Sequence, residues 1–223
     1  MAAAIAPATP ASRRRTRNGS PFSIPTMGEP DKLARQFDLL RQRPDCVGLF
    51  TGCRLVGGAV ERLHIPRDDP SLFDLRCSNV LGSTSSAVVR RDVLEAIGGF
   101  NPALPSCQDW DLWFRLRQRG PLGVVRAPLV RFNNGPHERI TKTADKVLAG
   151  HRAIFAQLLS GVASRSDRAA IRAHHRLVEA DIERRFGRRA AALGLAARSF
   201  AAHPSKSALA AAWRVVRDAA RAA

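Results

Sequence analysis

The chain has 223 residues, and 45% of them are hydrophobic, which is enough for one medium-sized domain with an appendage or for two small domains. Lysine and arginine number 36 against 19 acidic residues, so the formal net charge is +17 at pH 7. This balance suits polyanionic partners, but solvated arginines on helix faces are the simpler explanation, so the charge alone assigns no partner.

The first half of the chain predicts alternating helices and strands. Residues 1–28 are rich in Ala, Pro, Ser and Arg without periodicity, and we expect them to be disordered. Pro30 suits the start of a helix in which Leu33, Phe37 and Leu40 recur at helical spacing. The apolar run "CVGLFTGCRLV" then predicts a buried strand.

The segment "NVLGSTSSAVVRRDVLEAIGGF" predicts a strand and a helix. The strand covers Val80 to Val89, the helix opens near Asp92, and Gly98 and Gly99 end it, because glycine enters the left-handed conformation at low cost. A second helix, in "CQDWDLWFRLRQRG", and a last strand, in "GVVRAPLVRFN", follow. From Ala144 onward the composition predicts three or more amphipathic helices, so the chain is an α/β region followed by a helical one.

Cysteine usage and apolar runs exclude several classes of protein. No apolar run approaches the length of a membrane span, and the charges of the first 17 residues follow the short apolar stretch, the reverse of a secretory signal. The cysteines form no CxxC pair, so we expect reduced thiols in a cytoplasmic protein. They are Cys46, Cys53, Cys77 and Cys107.

The stretch "LPSCQDWDLWFRLRQRG" gathers two acids and two tryptophans among arginines. On a helix, Asp109 and Asp111 lie in the first turn and Arg115 and Arg117 in the last, as the helix dipole favours. A capped core helix without chemistry explains this pattern as well as a catalytic site does.

The segment "GGFNPALPSCQDWDLWFRLRQRG" resembles the signature of family 2 glycosyltransferases of the GT-A fold. The flanking segments "EPDKLARQFDLLRQRPDCVGLFTGCRLV", "NVLGSTSSAVVRRDVLEAIGGF" and "RAPLVRFNNGPHERIT" extend the resemblance in the family's order. The resemblance implies an incomplete GT-A core (a nucleotide-diphospho-sugar transferase fold) at 29–143, as its acceptor and catalytic-base half. A non-homologous N-terminus at 1–28 precedes that domain, and an α-helical tail at 144–223 follows it.

The resemblance also implies an activity and a site. A family 2 enzyme transfers a sugar from a nucleotide-diphospho-sugar to an acceptor hydroxyl with inversion, and Asp109 matches its general base. Gln108 occupies the position where the family has glutamate, and its side chain can still form a hydrogen bond with a sugar hydroxyl. Asp111 is predicted to be a structural helix cap. The remaining substrate-binding positions are Gly98, Gly99, Phe100, Trp110, His137 and Arg139. Phe100 and Trp110 either stack on the acceptor or belong to the core, and His137 and Arg139 match a loop that closes over the donor diphosphate.

The metal-binding part of the family pattern is missing. Relatives carry an acidic DxD-type segment for Mg²⁺ or Mn²⁺ directly before the position of Glu29, but "RNGSPFSIPTMG" contains no acid, and Asp68-Asp69 lies in a loop on the wrong side of the strand. One choice of codons for that segment reads "KWIAFLDSDDG" in another frame. We therefore hypothesise a shifted reading frame before about Gly28, so that the N-terminal nucleotide-binding half is missing and activity is impaired.

Two interpretations in which the chain is not itself an enzyme remain open. The chain is either a basic binding module, docking to an anionic membrane through helices such as "AAWRVVRDAARAA", or a non-catalytic subunit that complements another chain. The enzyme reading implies a nucleotide-diphospho-sugar donor and a glycan or lipid-linked acceptor of polysaccharide or cell-envelope synthesis, with the protein cytoplasmic or peripheral at the inner membrane face. Nucleic acid is not indicated, because the sequence has no tyrosine and no base-reading motif.

Overall fold

The structure is a computed structural model that describes residues 5–7, 26–56, 61–133 and 143–220. The chain divides into two compact units. Unit 1 consists of Met1–Ser71, Val80–Phe100 and Leu112–Glu138, and unit 2 consists of Leu72–Asn79, Asn101–Asp111 and Arg139–Ala223. Unit 2 thus contains the C-terminal helices together with two segments that the sequence places in the domain at 29–143.

The described strands belong to unit 1 and form one open mixed sheet. Their order is β1–β5–β3–β6–β2, and β4 also pairs with β3. The central pair, β3 and β6, is parallel, and the other pairs are antiparallel. The strands are β1 (Ile5–Pro7), β2 (Thr26–Gly28), β3 (Gly48–Val56), β4 (Arg62–His64), β5 (Val88–Arg90) and β6 (Leu122–Asn133).

The helices are divided between the two units. Unit 1 contains α1 and α3, unit 2 contains α2 and α5 to α8, and α4 changes unit between Asp111 and Leu112. The bounds are α1 (Lys32–Gln42), α2 (Leu72–Cys77), α3 (Arg91–Ala96), α4 (Gln108–Arg117), α5 (Ala144–Leu159), α6 (Arg165–Arg185), α7 (Arg189–Ala202) and α8 (Lys206–Ala220). The chain is therefore a mixed α/β protein with a helical C-terminal region, as the sequence predicts at this coarse level.

The parallel pair at the centre of the sheet contains a bulge at Gly52. The register of β3 against β6 shifts on both sides of this residue, which lies opposite Pro128. Pro128 has no N–H to donate to the ladder, so pairing must be interrupted there. A Cβ on Gly52 would lie 2.9 Å from the carbonyl oxygen of His64 and 3.1 Å from that of Ala127, so the bulge requires glycine.

The buried face of α1 is polar, unlike the face that the sequence predicts. Leu33 and Phe37 are 46% and 40% exposed, whereas Lys32 and Gln36 are buried. The Gln36 amide donates to the carbonyl oxygens of Leu49 and Ser86, both at 3.0 Å. Because these hydrogen bonds replace the ones that the amide would make to water, its burial costs little.

The strand predicted at Val80–Val89 is largely wrong. Only Val88–Arg90 forms a strand, and Thr84–Ser86 forms a 3₁₀ turn instead. The hydroxyl of Ser86 donates to the carbonyl oxygen of Ser83 at 2.8 Å. Serine and threonine side chains often make such local bonds, which compete with the ladder of a sheet.

Of residues 1–28, which the sequence predicts to be disordered, Ile5–Pro7 and Thr26–Gly28 form strands, and the others lie outside the described residues. The remaining predicted helices and strands are confirmed. They are the helix after Pro30, the strand in 46–56, the helix ended by Gly98 and Gly99, the helix containing Asp109, and the last strand. The C-terminal region contains four helices from Ala144 onward.

Close packing of α5 in unit 2 gives a testable prediction. A methyl group on Gly150 would lie 1.9 Å from Oγ and 2.8 Å from the backbone nitrogen of Ser106. We expect Gly150→Ala to destabilise the protein by about 1–3 kcal/mol, because the backbone of residue 106 must move. Gly194→Ala in α7 is the matched control, since its methyl group meets no described atom within 4 Å and alanine favours a helix by about 1 kcal/mol. Urea unfolding measures both, and equal effects would contradict the predicted clash.

Candidate active site

The residue before α4 has an unusual backbone conformation. Cys107 has a φ of +64°, in the left-handed region that residues other than glycine rarely adopt. Its carbonyl oxygen accepts a helical hydrogen bond from the N–H of Asp111 at 3.1 Å. Such conformations cost about 1–3 kcal/mol and cluster at functional sites. This one directly precedes Gln108 and Asp109, two of the site residues expected from the sequence resemblance.

Asp109 is a half-buried carboxylate at the start of α4. The side-chain amide of Asn79 donates to its Oδ2 at 3.2 Å, and the backbone N–H of Trp110 donates to its Oδ1 at 2.8 Å. Burial raises the pKa of Asp109 above its ordinary 3.8, and the two hydrogen bonds oppose part of that rise. The carboxylate is therefore more basic than an exposed aspartate, as a general base should be.

The side chain of Gln108 is held by a backbone carbonyl group four residues earlier in the chain. Its Nε2 donates to the carbonyl oxygen of Leu104 at 2.8 Å. Its Oε1 has no hydrogen-bond partner in the described part of the chain. An amide held by its nitrogen presents its oxygen as an acceptor, which suits a hydrogen bond from a sugar hydroxyl.

Trp110 is a core residue of unit 2. It is 3% exposed, and its indole N–H donates to the carbonyl oxygen of Leu75 at 2.5 Å. Its ring stacks on the imidazole of His175, with centroids 5.3 Å apart and planes 6° apart. Of the two roles left open by the sequence, the structure favours the core for Trp110.

Two buried histidines lie behind Trp110 and carry a defined proton arrangement. Nε2 of His175 lies 2.7 Å from the carbonyl oxygen of Arg76, which can only accept, so this nitrogen carries a hydrogen. Nδ1 of His175 lies 2.9 Å from Nε2 of His151. Burial, and then the neighbouring His151, lower the pKa of His175 from 6.5 to about 4. His175 is therefore neutral at pH 7, and its Nδ1 accepts from His151.

Asp111 holds α4 to α5 within unit 2. It is 1% exposed, and its Oδ1 accepts from Nε2 of Gln157 at 2.8 Å. This bond joins two helices, which is a different structural contact from the helix cap that the sequence predicts for Asp111.

The glycine pair and Phe100 lie in unit 1. Gly98 and Gly99 have φ of +75° and +64°, where an L side chain is strained. The guanidinium of Arg115 donates to the carbonyl oxygens of Ile97 at 2.8 Å and Gly99 at 2.7 Å, which fixes the turn. Phe100 is 50% exposed, so its ring is available to stack on a ligand.

The structure offers no metal centre among the residues it describes. No group of three His, Cys, Asp or Glu side chains is placed there to hold a metal ion. Asp68 accepts from the N–H of Val124 at 2.8 Å, and Asp69 accepts from the N–H of Leu122 at 3.0 Å, so this acidic pair caps the start of β6. The expected Mg²⁺ or Mn²⁺ therefore does not fit the described residues.

Six of the predicted site residues lie in two short segments, and two others are outside the described residues. Gln108, Asp109 and Trp110 are consecutive in unit 2, and Gly98, Gly99 and Phe100 are consecutive in unit 1. His137 and Arg139 lie outside the described residues. Asn79 is absent from the sequence-based site, because it lies 30 positions before Asp109 and no local pattern connects the two.

The hydrogen bond from Asn79 predicts a measurable change in Asp109. Because this bond favours the ionised carboxylate, Asn79→Ala should raise the pKa of Asp109 further. The ¹³C chemical shift of the Asp109 carboxyl carbon, followed against pH, measures the change. Asn101→Ala is the control, because the side-chain oxygen of Asn101 accepts from the N–H of Ala103 and no hydrogen bond from Asn101 to Asp109 is found among the described residues. An unchanged titration in Asn79→Ala would show that the contact does not hold the carboxylate in solution.

Comparisons with known proteins assign no family. No family model matches the chain, and no curated protein matches it significantly. In the part of the chain that the structure describes, no helix has both the length and the apolar character needed to cross a bilayer.

Proposed function

We propose that the chain carries the acceptor side and the catalytic base of an inverting family 2 glycosyltransferase with a GT-A core. The observation that carries the proposal is the environment of Asp109. Its carboxylate lies half-buried at a helix start, with two hydrogen-bond donors and a raised pKa. The family signature around "GGFNPALPSCQDWDLWFRLRQRG" supports the same residue.

The reaction assigned to Asp109 is a proton transfer coupled to substitution. A lone pair of the acceptor hydroxyl oxygen attacks the anomeric carbon of the donor sugar as its proton passes to a carboxylate oxygen. The bond from the anomeric carbon to the diphosphate oxygen breaks, and the nucleoside diphosphate leaves with that electron pair. Attack from the face opposite the leaving group inverts the anomeric configuration. General-base catalysis of this kind contributes about 10²- to 10⁴-fold in rate.

The remaining site residues are proposed to bind the substrates. In unit 2, Oε1 of Gln108 would accept a hydrogen bond from an acceptor hydroxyl. In unit 1, taken by itself, the exposed ring of Phe100 would stack on a sugar face. His137 and Arg139 would contact the donor diphosphate. Mg²⁺ or Mn²⁺, when bound, would neutralise charge on that diphosphate, but the described residues supply no ligand set, so its site would belong to the nucleotide-binding half.

The coding DNA tests where that half is encoded. Residues 1–28 contain no acidic residue, although the family places its metal-binding acids there. We expect the genomic sequence before codon 28 to encode "FLDSDD" in another frame, continuous with an upstream nucleotide-binding segment. A coding sequence without that reading would contradict the frame hypothesis and favour a partner subunit.

A transfer assay tests the proposed function itself. The protein translated with the corrected frame, called here the frame-restored protein, is incubated with UDP-, GDP- and dTDP-sugars, Mg²⁺ or Mn²⁺, and a panel of glycan and lipid-linked acceptors. We expect a product whose anomeric configuration, read by NMR, is inverted relative to the donor. We expect no turnover from the 223-residue chain alone. A product of retained configuration, or no product from either protein with any pair, would contradict the proposal.

A further inference from the structure

Helix α8 presents an apolar stripe to solvent. Leu209, Trp213 and Val216 are 57%, 65% and 48% exposed. Their spacing of four and three residues places them on one face of the helix. Trp213 is the most exposed large hydrophobic side chain of the described residues, so the stripe is a prominent apolar feature of unit 2.

The opposite face of α8 is already occupied. Ala208, Ala211 and Val215 are 1%, 5% and 2% exposed. Asp218, the one acidic residue of the helix, pairs with Arg184 and Arg217. One face of α8 therefore packs against the rest of unit 2, and the apolar stripe on the opposite face stays exposed to solvent.

Two exposed basic side chains lie on one side of the stripe. Lys206 and Arg214 are exposed, and neither has an ion-pair partner in the part of the chain that the structure describes. On the helix they lie on the side of the stripe that is next to Trp213. Residues 143–220 contain fourteen lysines and arginines against six acids. An apolar stripe beside unpaired basic side chains complements a surface with an apolar interior and an anionic boundary.

We propose that α8 docks in the plane of an anionic lipid bilayer. Leu209, Trp213 and Val216 enter the boundary between headgroups and acyl chains, and Lys206 and Arg214 contact the anionic headgroups. Trp213 supplies an aromatic ring of the kind enriched at membrane interfaces. The proposal does not depend on the proposed function, because it uses no residue of the candidate active site.

The tryptophans of the chain provide the readout. Trp110 and Trp113 are 3% and 1% exposed, whereas Trp213 is 65% exposed. A change in tryptophan emission on adding vesicles therefore reports Trp213. With the full chain, we expect a blue shift and loss of iodide quenching with phosphatidylcholine vesicles containing 30 mol% phosphatidylglycerol. Vesicles of pure phosphatidylcholine should give neither change, and added salt should weaken the binding.

Two sets of substitutions separate the apolar and charged contributions, with vesicle cosedimentation as the measurement. Leu209→Ser, Trp213→Ser and Val216→Ser together should weaken binding on the order of 100-fold. Lys206→Gln with Arg214→Gln should weaken binding on the order of 25-fold, since each basic residue near such a surface contributes about fivefold. All five positions are exposed, so both variants should keep the wild-type circular dichroism spectrum and urea midpoint.

Leu193→Ser with Phe200→Ser is the matched control. These apolar residues are each 39% exposed on α7 and lie outside the stripe, so their loss should leave vesicle binding unchanged. Three outcomes would overturn the proposal: no cosedimentation, equal binding to neutral vesicles, or unchanged binding in the triple variant. A concentration-dependent blue shift of Trp213 without lipid would assign the stripe to a second copy of the chain and overturn the proposal as well.

Discussion

Replacing Asp109 with asparagine in the frame-restored protein is expected to lower the kcat of sugar transfer by about 10²- to 10⁴-fold. The amide has nearly the same shape, and its oxygen can still accept from the N–H of Trp110, as the carboxylate does. It cannot take a proton from the acceptor hydroxyl. The variant loses the hydrogen bond from Asn79, but burial makes the ionised Asp109 side chain unfavourable in the folded state, so the two effects oppose each other and Asp109→Asn should change the urea midpoint little.

Asp111→Asn is the comparison, because this second acid of the same helix has a structural environment. Asp111 is 1% exposed and accepts a hydrogen bond from Gln157 at 2.8 Å. Weakening a buried hydrogen bond to a charged group costs about 1–3 kcal/mol. We expect Asp111→Asn to lower the urea midpoint and to leave the kcat of the folded protein within a few-fold of wild type. Equal losses of kcat in the two variants would contradict the separate roles.

Acidification from pH 7 to pH 5 is expected to lower the free energy of unfolding by about 2 kcal/mol through His175 alone. In the folded protein the pKa of His175 is about 4, against 6.5 without the burial. The unfolded chain therefore binds a proton as the pH falls through 6.5, while folded His175 stays neutral. Stability is lost from pH 6.5 downward, and the loss levels off below about pH 4, where folded His175 is protonated too.

The pH dependence of the urea midpoint measures this effect in His175→Gln and in wild type. Glutamine does not titrate, and its amide can still donate to the carbonyl oxygen of Arg76. The variant should be less stable at pH 7, yet it should lose about 2 kcal/mol less than wild type on going to pH 5. His203→Gln, at an exposed position, is the control and should keep the wild-type slope. A wild-type slope in His175→Gln would show that His175 is not held neutral by the fold.

Local patterns in the sequence predict the elements of this fold well where a stop signal or a long apolar run is present. The glycine pair at 98 and 99 ends α3 in the left-handed conformation, as expected. The apolar runs at 46–56 and 122–133 are the two central strands. The face that α1 buries was not predictable, because the partners of Gln36 are the carbonyl oxygens of Leu49 and Ser86, which lie 13 and 50 positions away.

The sequence singles out Asp109 of the candidate site only through its resemblance to the family 2 signature, and the role of this residue stays a prediction. Asn79, which donates to it, carries no sequence signal because the contact spans 30 positions. The resemblance places Trp110 among the substrate-binding positions. In the structure it lies in the core and stacks on His175, which is 65 positions away. Tertiary contacts of this kind depend on the packing of α4 against other segments of unit 2, which no local pattern encodes.

The pH dependence of kcat/KM for sugar transfer, measured for the frame-restored protein and its Asp109→Asn variant, tests the role of Asp109 most directly. The folded state of both is followed by circular dichroism at each pH. The account predicts that wild-type kcat/KM falls on the acid side through a pKa above 3.8, the ordinary aspartate value, as Asp109 takes up a proton. It also predicts that the variant is slow at every pH and lacks this acid limb. A variant that kept the wild-type rate and the same acid limb would contradict the assignment of Asp109 as the general base.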